Sequence, residues 1–142
     1  MKKRLIAVIL TLVFSLVVLT GCKEGNSAYK DGIYTGKSSQ DERGAFGEAT
    51  LIIDDNEITD CQYVTWQKDG TVKDENYGKV NGEISNQDYY RQAQLAVNAM
   101  KQYEKKLVEV QKPEKVDAIS GATIAYDQFS EAVENALNQA KK

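Results

Sequence analysis

Residues 117–123, Asp-Ala-Ile-Ser-Gly-Ala-Thr, hold the densest set of groups in this chain that could do chemistry. They offer one carboxylate, Asp117, and two hydroxyls, Ser120 and Thr123, with Gly121 between the hydroxyls to ease a turn. Behind them Ala125, Phe129, Val133, Ala136 and Ala140 recur at three- and four-residue steps, the spacing of one buried helical face. Ser120 and Gly121 are start signals for that helix, which puts Thr123 in or just before its first turn. Backbone N–H groups there lack intrahelical acceptors, and the helix dipole is positive. A phosphate carried on the Thr123 hydroxyl would meet those N–H groups directly. The stretch suits an anion. The same composition also suits a plain helix start, with Ser120 as an N-cap and Thr123 as a first-turn residue.

Other chemistries are excluded by what is missing. The 142-residue chain has no His, which removes Ser-His-Asp and Cys-His nucleophilic systems, His-ligated haem and most zinc sites. No metal site and no catalytic residue are expected. A carboxylate-pair hydrolase finds no support, because Asp and Glu are scattered over loops and helix faces. Of the two Cys, Cys61 alternates inside a strand-like run and reads as a small buried apolar residue.

The positioning elements follow from the chain in order. Residues 1–21 stand apart, with Lys2, Lys3 and Arg4 as a basic head and an apolar run from Leu5 to Leu19. That run is short for a membrane span, which needs about 20 residues, and suits a secretory signal. It ends in Leu19-Thr20-Gly21-Cys22, which looks like a bacterial lipobox, with cleavage before Cys22 and acylation of that residue implied. A lipid-anchored tether over residues 22–28 and one domain over residues 29–142 are then expected. Loss of the basic head takes the net charge from −3 to about −6. A negative domain argues against nucleic acid as a partner and against lying flat on an anionic membrane.

Within the domain, residues 30–38 read as a first strand and residues 40–43 as a charged turn. Residues 45–53 and 58–67 pair as a hairpin, joined by a four-residue turn over Asp54, Asp55, Asn56 and Glu57. Ala49, Leu51 and Ile53 are expected on one face of the first strand; Ile58, Val64 and Trp66 are expected on one face of the second. Residues 68–86 are polar and without period, a long loop of the kind that is functional or disordered. Ser85 and Asp88 make a capping-box-like start to a helix carrying Ala93, Ala96, Val97, Met100, Tyr103 and Leu107 on one face. Pro113 closes that region, and residues 115–119 could add a short strand. The fold class is α+β: a small, mostly antiparallel sheet with two helices packed against it, the second following residues 117–123.

Asp117-x-x-Ser120-Gly121-Ala122-Thr123 resembles the flavin-acceptor motif of the FMN-binding domain family. That family includes the flavin subunits of sodium-pumping NADH:quinone reductase and of Rnf-type complexes, together with flavin-bearing surface lipoproteins. The resemblance implies that a flavin transferase joins FMN to Thr123 through a phosphoester, with Asp117, Ser120, Gly121 and Ala122 as the recognition set. It also implies that the long loop lies over the flavin. There Tyr77 offers a stacking surface and Gly78 a close backbone approach. Lys73 or Lys79 would stabilise the negative charge of the reduced ring. The chain departs from the family in lacking a mid-domain loop rich in Gly, Pro and Leu; residues 73–79 stand in its place.

The function expected is that of an electron carrier rather than a turnover enzyme. A monomer, lipid-anchored on the extracytoplasmic face of the cell membrane, would take electrons from a membrane donor and pass them outward. The rival reading, from another class, is a surface lipoprotein that binds a solute or a protein partner without redox activity.

Overall fold

The computed structural model describes residues 28–142. The signal segment, Cys22 and residues 22–27 of the tether lie outside the described residues. Alternating apolar residues give three strands, β1 (Gly32–Lys37), β2 (Phe46–Asp54) and β3 (Glu57–Trp66), in an antiparallel sheet of order β1-β2-β3. Two helices, α1 (Gln87–Val110) and α2 (Thr123–Ala140), cover one face of that sheet and close a core of Leu51, Ile53, Tyr103, Leu107, Phe129 and Val133. The fold is α+β.

The hairpin is tighter than the sequence implies. Asp54 pairs with Glu57, so only Asp55 and Asn56 lie outside the ladder, with φ of 49° and 65°. Positive φ at both central residues is the signature of a type I′ turn, whose twist matches that of the strands it joins. At the third residue of β3, parity changes. Ile53 faces Ile58 but Ile52 faces Asp60, which leaves Thr59 as an extra, bulged residue. One inserted residue moves every later side chain to the opposite face. Ile58, Cys61, Tyr63 and Thr65 therefore point into the core, while Val64 and Trp66, expected beside Ile58, lie on the other face and are only half-buried. Cys61 is buried as expected, and burial, with Glu104 and Asp60 adding to it, pushes its thiol up to about 12. Such a thiol is unreactive at neutral pH.

Both sheet edges are covered by helical side chains. Gln111 Oε1 accepts from Ile58 N at 2.7 Å, and its Nε2 donates to Ile58 O at 2.9 Å. Glu104 Oε1 accepts from Tyr63 N at 2.6 Å. On β1, Asn135 Nδ2 donates to Lys37 O and Gln139 Nε2 to Thr35 O. Edge groups so bonded are closed to another strand. Residues 115–119, expected as a short strand, find no ladder; a 3₁₀ turn at Pro113–Lys115 leads into extended backbone with Val116 buried. The N-cap of α1 is Asn86, whose side chain accepts from Tyr89 N at 2.9 Å, in place of the Ser85 start expected.

Glu104 makes the fold sensitive to pH. Burial holds its carboxyl above the usual range, helped by Asp60 and opposed by the Tyr63 N–H, Lys101 and Lys105. Between the ordinary and the raised value the folded chain keeps a proton that the unfolded chain has lost. Stability from this group is therefore full at acid pH and falls as pH rises through the window. Urea midpoints measured from pH 4 to 7.5 should show that decline in wild type and its loss in Glu104→Gln, which keeps the acceptor without the charge. Glu104→Ala leaves Tyr63 N without its partner and should cost about 1–3 kcal/mol.

Candidate functional site

Residues 119–122 form a turn closed by Ala122 N donating to Ile119 O at 2.9 Å. Its third residue, Gly121, has φ of 83°, the position where a type II turn calls for glycine. A Cβ there would also stand 2.7 Å from Leu95 Cδ2 on α1. Tyr103, buried on α1, pins the turn from beneath: its hydroxyl accepts from Ile119 N at 3.0 Å and donates to Ala122 O at 3.3 Å. Tyr103 in turn stacks on Phe129 with ring centroids 5.4 Å apart, and Tyr63 meets Phe129 edge-on at 5.1 Å. The turn is thus fixed to the aromatic core before α2 begins.

Ala122 is the N-cap of α2, and no side chain caps the helix. Thr123 is the first helical residue. The N–H groups of its first turn keep their positive end available for an anion. Asp117, Ser120 and Thr123 all have exposed side chains. Ser120, expected as a possible cap, instead sits in the turn.

This helix end opens onto a cleft of about 1010 Å³, at the upper end of the size usual for small-molecule sites. Its floor is Thr65, Ala96, Met100 and Ala125, and its rim at the helix end is Gly121, Ala122, Thr123 and Ile124. Of the loop residues picked out from sequence, Lys73 and Tyr77 line the cleft together with Thr123. The Lys73 ammonium lies 5.1 Å from the Tyr77 ring centroid, and burial lowers its pKa. Gly78 and Lys79 face elsewhere. A Cβ on Gly78 would be 2.8 Å from Ala93 Cβ, so that glycine lets the loop approach α1. Lys79 donates to Asn76 Oδ1 and lies over Tyr90. Asp117 and Ser120 flank the turn without lining the cleft.

The opposite wall comes from residues 40–45, read from sequence only as a charged turn. Asp41 Oδ1 accepts from both Arg43 N and Ala45 N at 2.9 Å, and Asp41 N donates to Ala45 O at 2.8 Å. Gln128 of α2, only 5% exposed, ties the wall to the helix by donating from Nε2 to Ala45 O at 2.9 Å. Its Oε1 is the one buried side-chain polar atom without a partner among the described residues. Arg43, Gln128 and Tyr103 are not marked as site residues by the sequence: Tyr103 reads as part of a buried helix face, and the wall that carries Arg43 is tied to α2 by the Gln128 bond across 83 positions.

Residues 44–138 match the family described as the FMN-binding domain. The chain belongs to the FMN-binding domain family. Membership implies a flavin-bearing, electron-transfer role. A crystal structure of a protein from Clostridium perfringens is similar to this FMN-binding domain, with TM-score 0.62 and 25% identity over 79% of this chain and 88% of that one. A solution structure of a protein from Clostridium thermocellum is 27% identical over 80% of this chain and 93% of that one, with TM-score 0.46. No curated protein matches the chain. The residues of the cleft fit FMN: an uncapped helix end suits its phosphate, and Tyr77, Met100 and Ala96 suit an apolar ring.

Proposed function

We propose that the FMN-binding domain carries FMN covalently, through a phosphoester to Thr123, and works as an electron carrier outside the cell membrane. The observation that carries this reading is the position of Thr123, an exposed hydroxyl on the first residue of an uncapped helix at the edge of a cleft. The helix N–H groups would hold the phosphate, and Asp117, Ser120, Gly121 and Ala122 would present the turn to a flavin transferase. When bound, the flavin supplies the electron-accepting chemistry. The protein's part is to hold it, shield it and set its charge environment.

A bond in place of a binding equilibrium keeps the cofactor from being diluted outside the cell. Lipidation of Cys22 would hold the carrier beside a membrane donor at high effective concentration. The domain is joined to that tether at the far end of α2, where Tyr29 bridges to Lys141 and Lys30 N donates to Ala140 O at 2.8 Å. Thr123 is then about 27 Å away along the 18-residue helix. An anchored domain would therefore keep its flavin at the pole away from the attachment point. A net negative domain would favour a basic docking partner and salt-sensitive encounter rates.

Intact mass and visible spectrum of the protein from its native cell envelope test the proposal. The expected product is yellow, acylated at Cys22 and heavier by one FMN less one water. Colourless protein without added mass would overturn the reading and favour a lipoprotein that binds a solute or partner without redox activity.

A further inference from the structure

Besides Lys73, the cleft is lined by two further cations that the flavin motif does not specify, Arg43 and Lys68. Arg43 lines the cleft together with Lys73, and it lies just before the stretch, residues 44–138, that matches the family. Its backbone is not that of a casual surface turn. Asp41 grips the Arg43 and Ala45 N–H groups, Gly44 turns at φ 78° against the Lys68 stem, and buried Gln128 holds Ala45. Lys73 is fixed in the same way, its N donating to Thr65 O at 2.9 Å as an extension of the β3 edge and its ammonium resting over Tyr77.

Two cations are thus set into one cleft by backbone bonds, and neither forms an ion pair among the described residues. Of the three acids that line the cleft, Asp41 is held by its own turn and Asp69 by the Thr71 N–H and hydroxyl at 3.0 and 2.6 Å, while Glu42 is exposed. Cations without an ion-pair partner beside a cleft favour a ligand that is negative, or that becomes so. The phosphate is accounted for by the α2 terminus, which leaves the charge that develops on the ring.

Resting on the reading that this cleft holds FMN, we infer that Arg43 and Lys73 act together to favour the reduced, anionic ring over the oxidised, neutral one. Two electrons from the donor and one proton from solvent convert the neutral ring to one bearing a single negative charge. The second proton stays in solvent. Arg43 and Lys73 are positioned to offset that charge, so they raise the reduction potential.

The test is a dithionite titration of flavinylated protein, followed by absorbance against reference dyes. Variants are Arg43→Gln, Lys73→Gln, the double variant, and Arg91→Gln as a charge control; Arg91 is exposed on α1 and paired with Asp88 at 3.2 Å, outside the cleft. Intact mass first confirms one FMN per chain in each. Each cleft variant should disfavour reduction at least tenfold, a fall of about 30 mV for a two-electron couple, and the double variant more. Arg91→Gln should move the potential far less. Flavinylated cleft variants whose potentials match that of Arg91→Gln would overturn the inference and leave the FMN reading standing. Wild type that acquires no FMN even with a flavin transferase supplied would overturn both.

Discussion

Thr123→Val is expected to abolish covalent flavin completely while leaving the fold as it was. Valine matches threonine in shape and branching and lacks only the hydroxyl that would form the phosphoester. Thr123 is exposed, and the helix it opens has no side-chain cap, so its side chain contributes little to stability. Exposed substitutions of this kind change stability by about 0.5 kcal/mol or less. Loss of flavin from a variant with unchanged melting would therefore report on chemistry rather than on folding. Co-expression with a flavin transferase, followed by denaturing electrophoresis and in-gel flavin fluorescence, separates covalent from merely bound cofactor. Wild type should fluoresce, Thr123→Ser should retain an acceptor oxygen and fluoresce, and Thr123→Val should be dark. A Thr123→Val band as bright as wild type would place the linkage on another residue.

Gly36→Ala should be the most damaging single-methyl change in the sheet. Gly36 lies on β1 directly beneath α2, and a Cβ there would fall well inside contact distance of the Ala132 carbonyl oxygen and the Ala136 nitrogen, and 2.8 Å from the Asn135 carbonyl carbon. These are backbone atoms of a helix, which cannot rotate aside as a side chain would. Relief requires α2 to lift from β1. That movement would break the Asn135 and Gln139 bonds to the β1 edge and loosen the core around Ala132 and Ala136. Overpacking of a close core contact costs about 1–3 kcal/mol and occasionally more; here the upper end applies, with a fall in Tm of roughly 10–20 °C. Thr35→Ala is the matched control, one residue away on the outer face. It loses the Thr35–Thr50 hydroxyl pair at 3.0 Å and should cost about 0.2–1 kcal/mol. Equal melting of Gly36→Ala and wild type would mean that α2 does not sit on β1 as described.

The two variants also bear on each other. α2 carries both the acceptor residue at its N-terminus and the surface that packs on Gly36. A helix lifted from β1 would pull Gln128 from Ala45 and so release the wall that carries Arg43. Gly36→Ala should then be flavinylated less efficiently as well as melting earlier, even though it lies far from Thr123 in sequence.

Local information in the chain was enough for its local features. The three- and four-residue recurrence of Ala125, Phe129, Val133 and Ala136 determined a helix with one buried face, and all four are buried. Alternation determined the two hairpin strands, and residues 117–123 determined the turn and helix start that bring Thr123 to a helix end. Each of these depends on neighbours within a few positions, which is the range over which backbone geometry and periodicity act.

Tertiary structure decided what depends on register and on distant partners. A single bulged residue, Thr59, reversed the faces expected for Val64 and Trp66; parity is a property of the paired ladder, and no strand states its own register alone. Residues 115–119 did not join the sheet, whose edge groups bond instead to Glu104, Gln111, Asn135 and Gln139. Lys73 and Tyr77 reach the cleft whereas Gly78 and Lys79 turn to α1, although all four belong to one loop. Arg43, Tyr103 and Gln128 joined the site without any motif to mark them. Their places are set by closure of the loops over a shared core, and contacts made across tens of residues leave no periodic trace in the sequence.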